Sequence, residues 1–165
     1  RNRIRTDVQL HSEFPALENS IQGAMLMQNL IETHQGKFGG YFTARPPEIG
    51  ASTPAWLEKH GFPAGEVVVS NDSKHKLLTI IEAFQLTDTP VTSILLIDDS
   101  IDSLVDSANK LLEEHPEYHE VLSRITIAAF SYETHEIQSF IGASPLTVVP
   151  FPGWNIDYLQ QLNTQ

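Results

Sequence analysis

The chain has 165 residues, a length that suits one domain with a sizeable core. Its 21 acidic residues against 10 basic ones give a formal charge of −11, which disfavours nucleic acid as a non-specific partner, because phosphate binding needs a basic surface, though not a local positive site for a small phosphorylated molecule. There is no cysteine, so disulfides, thiolate metal sites and cysteine nucleophiles are ruled out; no apolar run reaches the ~18 to 20 residues a membrane span needs.

The elements follow in chain order. "RNRIR" opens the chain without the basic-then-apolar pattern of a leader. The expectation is a soluble protein, cytoplasmic or secreted after loss of a leader. Residues 15–34 have Leu17, Ile21, Ala24, Leu26, Leu30 and Ile31 near helical spacing, which predicts a helix. "GGYFTARPPEIG" then predicts a strand over 38–42 that ends abruptly on Thr43 and Arg45. Ser52 or Thr53 is placed to cap a short helix through His60, with Pro54 in its first turn and Gly61 past its end.

A second strand is expected over 66–69, and a helix over 74–84 with Leu77, Leu78, Ile81 and Phe84 on one face. "SILLI" (93–97) is apolar throughout, the pattern of a parallel strand covered on both faces. A helix over 101–114, a strand over 125–130, a helical segment up to Ile141 and a short strand over 146–149 complete the pattern. Phe151 and Trp154 in the Pro-rich tail are expected to pack on the body. The alternation of strands and helices argues for an α/β domain with a mainly parallel sheet.

In such a sheet the carboxyl ends of the strands share one edge, and ligands bind there. Three polar clusters follow strands: Thr43 and Arg45, then "SNDSKHK" with Lys74 and Lys76, then "DDSID" with Asp98, Asp99 and Asp102. A hydroxyl can bond a phosphoryl oxygen, and an ammonium can neutralise both a phosphate and a nearby carboxylate. Adjacent carboxylates suit Mg²⁺, a hard ion that prefers oxygen ligands.

These clusters resemble motifs of the haloacid dehalogenase (HAD) superfamily of phosphohydrolases. "GYFTAR" is similar to its second motif, "SKHKLLTII" to its third and "ILLIDDSIDSL" to its fourth, in family order. The resemblance implies a Rossmann-like three-layer sandwich and a Mg²⁺-dependent phosphatase acting on a small phosphorylated molecule or a phosphoprotein. It implies catalytic roles for Thr43 and Lys74, substrate contacts from Thr43, Arg45 and Lys76, and metal ligation by Asp98 and Asp99. Lys74 is preferred as the third-motif lysine because Leu77, Leu78 and Ile81 follow at +3, +4 and +7; Lys76 is the reserve.

The first motif, an apolar strand ending Asp-x-Asp whose first Asp attacks phosphorus, has no match. Asp7 follows Arg-Thr, and position 9 is glutamine. The family places that strand mid-sheet, between those of the second and fourth motifs. The expectation is therefore that residues 1–165 are one HAD-like core domain whose nucleophile comes from outside, from a separate amino-terminal fragment or a preceding segment. Residues 1–14 are read as a linker or cap remnant. The alternative is a HAD-like binding or scaffold domain without activity. A receiver domain also fits "LLIDDS", but "ITIAAFSYE" lacks the further Asp and Lys it needs. His115 and His119 have the spacing of a metal pair, but Pro116 between them favours a solvated loop.

Overall fold

The computed structural model describes residues 18–34, 38–43, 48, 51–69, 76–88 and 93–154. Arg45, Lys74 and the whole of 1–14 lie outside them. The chain divides into two compact units, Arg1–Asn71 with Trp154–Gln165 and Asp72–Gly153.

In the first unit, α1 (Glu18–His34) and α2 (Thr53–Lys59) accompany β1 (Tyr41–Thr43) and β2 (Val67–Val69). The two strands pair in parallel, Tyr41 opposite Val67 and Thr43 opposite Val69. The first strand is shorter than the sequence suggests. Gly40, at φ 133, turns the chain just before it, in a conformation that favours glycine. Phe38 stays outside the ladder, its ring edge-on to Tyr41 at 5.0 Å. Pro54 and Gly61 stand where α2 needs them, but Ser52 makes no side-chain capping bond. Trp154 packs on α1 at Gly23, where an added Cβ would run into the indole.

The second unit holds α3 (Lys76–Ala83), β3 (Ile94–Asp98), α4 (Ile101–Glu114), α5 (His119–Ser123), β4 (Ile125–Phe130) and β5 (Thr147–Phe151). Its sheet has the order β3-β4-β5, all parallel. Leu77, Ile80 and Ile81 of α3 and Ile101, Leu104, Val105, Ala108 and Leu111 of α4 recur at helical spacing and are buried. With Ile125, Ile127, Val148 and Phe151 they form the core. Each of these side chains larger than alanine contributes roughly 1.5–3 kcal/mol of burial. The protein is thus a mixed helix–strand chain with small parallel sheets. No described helix is long and apolar enough to cross a membrane.

Three expectations change here. The helix up to Ile141 is replaced by two 3₁₀ turns, Thr134–Glu136 and Gln138–Phe140. Ser131, at φ 69, breaks the path out of β4, and Glu133 and Glu136 cap each other's backbone around one short turn. The last strand runs on to Phe151, so that ring is core of this unit and fully buried. Finally, "ILLI" is not fully covered: Leu95 is 40% exposed, and among the described residues β3 pairs with β4 alone.

Candidate functional site

Lys76 stands at the start of α3 and Asp98 at the carboxyl end of β3. Lys76 Nζ donates to Asp98 Oδ2 at 2.5 Å, with only 11% and 14% of the two side chains exposed. Lys76 precedes buried Leu77 and lies one turn from buried Ile80, so the face that anchors α3 also carries the ammonium inward. The pair withdraws two charges from water, which is tolerated because each neutralises the other.

The other Asp98 oxygen, Oδ1, accepts the Ser100 backbone N–H at 2.7 Å. This turns the chain from β3 into α4. Asp99 sits in the bend, exposed, and accepts the Ser100 hydroxyl at 3.2 Å. Asp102 lies exposed in the first turn of α4, where a carboxylate suits the positive end of the helix dipole. The adjacent acids thus divide their tasks. Asp98 faces inward to Lys76, and Asp99 remains open to solvent.

Asp98 Oδ2 bears an ammonium and Oδ1 an amide, which leaves Asp99 as the open carboxylate of the pair. Among the described residues no group of three or more His, Asp or Glu side chains is gathered for a metal. Mg²⁺ is commonly held by one or two carboxylates with waters and substrate phosphates. The donor set fits such an ion only in part: Asp99 directly, and Asp98 through water or by giving up a present partner.

Thr43 ends β1 in the first unit, half-exposed, while Lys76, Asp98 and Asp99 belong to the second. His115 and His119 are both exposed and have local partners. His115 Nδ1 meets Glu117 Oε1 at 3.2 Å, and His119 Nδ1 lies 3.5 Å from the Ser123 hydroxyl. The reading of a solvated segment accounts for both. The sequence preferred Lys74 because Leu77, Leu78 and Ile81 follow it at +3, +4 and +7; Lys74 lies outside the described residues, and Lys76 is the lysine seen against Asp98.

No family model matches this chain, and no curated protein or solved structure matches it at a significant level.

Proposed function

We propose that the chain carries part of the phosphate site of a HAD-type phosphohydrolase, with the architecture of a three-layer Rossmann-like sandwich. The observation that carries this reading is the Lys76–Asp98 pair at the carboxyl end of a parallel strand. A lysine at a helix start, held by the acid that ends the neighbouring strand, has the relation expected between the third and fourth motifs. Lys76 therefore takes the role first given to Lys74. Its ammonium neutralises Asp98 and charge on a phosphoryl oxygen alongside. Thr43 and Arg45 remain substrate contacts by resemblance alone. Asp99, with Asp98 behind it, would hold Mg²⁺, which supplies charge neutralisation at the phosphoryl group. The attacking carboxylate comes from polypeptide outside these 165 residues. The substrate is a small phosphorylated molecule or a phosphoprotein.

A scaffold without activity is the second reading. It is favoured by the commitment of both Asp98 oxygens to Lys76 and Ser100. The two readings separate in p-nitrophenyl phosphate turnover by the polypeptide of the complete reading frame, with and without millimolar Mg²⁺. The enzyme reading expects Mg²⁺-dependent turnover that falls about 10²-fold or more in Asp99→Asn and in Lys76→Ala. No turnover, or turnover indifferent to both substitutions, selects the scaffold.

A further inference from the structure

Among the described residues, two that are not glycine have a left-handed backbone, Gln85 at φ 51 and Ser131 at φ 69. Gln85 is accounted for by the helix before it. Its N–H donates to Glu82 O at 3.2 Å and that of Leu86 to Ile81 O at 2.9 Å, the paired bonds that close a helix on a left-handed residue. Ser131 follows no helix. It is the third residue of a turn over Ala129–Tyr132, which the Tyr132 N–H closes on Ala129 O at 3.1 Å, and its own N–H donates to Phe151 O at 2.9 Å. These are backbone bonds, so glycine can make them equally well. A positive φ in the third place of a turn suits glycine or asparagine; serine holds it against the crowding of its Cβ by the following carbonyl. The fold needs this conformation there but not this side chain.

The sheet's register places Ser131 beside the candidate site. Asp98 stands opposite Ala129 in the parallel ladder. Ser131, two residues beyond Ala129, therefore opens the loop after β4 as Ser100, two beyond Asp98, opens the turn after β3. Neighbouring strands lie about 4.8 Å apart. The donors and acceptors at this strand end are unequal. Asp98, Asp99 and Asp102, as carboxylates, only accept. The Lys76 ammonium lies on Asp98, and the Ser100 hydroxyl donates to Asp99. A phosphoryl group presents acceptor oxygens and is held by donors. Ser131 is exposed, and among the described residues its hydroxyl makes no hydrogen bond.

We propose that the Ser131 hydroxyl is a further binding contact of this site, donating to a phosphoryl oxygen of the ligand. The strained backbone is then the cost of presenting a hydroxyl where glycine would relax the turn, as is common where function holds a residue in an unfavourable conformation. The inference rests on the phosphohydrolase reading for the class of ligand, and it adds a residue outside the three motif-like clusters. A phosphate monoester and the inorganic phosphate released from it offer the same oxygens to the hydroxyl, so inorganic phosphate is a suitable probe.

The experiment titrates inorganic phosphate, in millimolar Mg²⁺, into the polypeptide of the complete reading frame and three variants by calorimetry. Urea midpoints by circular dichroism and p-nitrophenyl phosphate turnover are read alongside. Ser131→Gly should raise the urea midpoint, by roughly 0.2–0.5 M, because the strain is gone. It should nevertheless weaken phosphate binding about five- to tenfold, the loss expected for one hydrogen bond to a charged group. Ser131→Asn, which tolerates the conformation and keeps a donor, should bind within about threefold of the parent. Ser131→Ala, which keeps the strain without the hydroxyl, should bind as weakly as Ser131→Gly with no gain in stability. Phosphate binding that Ser131→Gly leaves within twofold overturns the inference. So does an equal loss in Ser131→Asn and Ser131→Gly, a Ser131→Gly chain no more stable than the parent, or a parent that binds no phosphate. Turnover indifferent to all three variants, with binding likewise unchanged, defeats the Ser131 contact and leaves the phosphohydrolase reading. Phosphate binding that requires Ser131, without turnover, does the reverse.

Discussion

Lys76→Met tests the central contact. Methionine keeps the unbranched stem and its packing beside Leu77 but removes the ammonium. Among the described residues Asp98 then keeps the Ser100 N–H alone, and 14% of its side chain is exposed. Breaking one side of a well-buried pair costs about 3–5 kcal/mol. Partial exposure and the remaining amide bond lower that here to about 2–3 kcal/mol. For a chain of this length each kcal/mol corresponds to roughly 2–4 °C, so the melting temperature should drop by about 5–10 °C. Both tryptophans, Trp56 and Trp154, belong to the first unit, so indole fluorescence would miss the event. Far-UV circular dichroism in urea, or hydrogen exchange over 76–83 and 94–98, reads the second unit. Asp98→Asn should cost a similar amount. The double substitution should cost clearly less than the sum, because neither charge is then stranded. A loss below about 0.5 kcal/mol in Lys76→Met, typical of an exposed pair, would refute the reasoning.

Burial pushes the Tyr41 phenol from 10.0 up to about 12, and its O–H donates to Pro63 O at 2.6 Å. The neutral form is the one the fold favours. Its contribution is therefore complete below the unfolded value near 10 and is lost as pH rises toward 12. Urea midpoints of the first unit, read by tryptophan fluorescence, should fall over that window, and Tyr41→Phe should flatten the fall; equal slopes would count against it. Phe151→Ala empties a fully buried site beside Phe130, whose ring centroid lies 6.1 Å away. It should cost about 3–5 kcal/mol by circular dichroism in urea; a loss under 1 kcal/mol would mean the site collapses around the gap.

The sequence by itself determined most of the elements and their type. Ile125–Phe130 and Ile101–Glu114 stand where it placed them, because apolar period and turn residues act over a few neighbours. It also brought Lys76 and Asp98 into one cluster hypothesis, since residues after parallel strands share an edge. It misjudged the segment after β4. A helix there depends on propagation beyond one turn, and Ser131 and the Glu133–Glu136 cap stop it. Three matters were left to the tertiary structure. Lys76 reaches Asp98 because α3 packs at one rotation against its neighbours, which a one-dimensional period cannot fix. Asp98 and Asp99, adjacent in sequence, part company because the chain turns between them, one carboxylate inward and one to solvent. "ILLI" reads as an interior strand by composition, yet among the described residues it pairs with β4 alone. Apolarity records what a strand prefers beside it, whereas pairing depends on which other strand arrives, and that is a property of chain topology rather than of five residues.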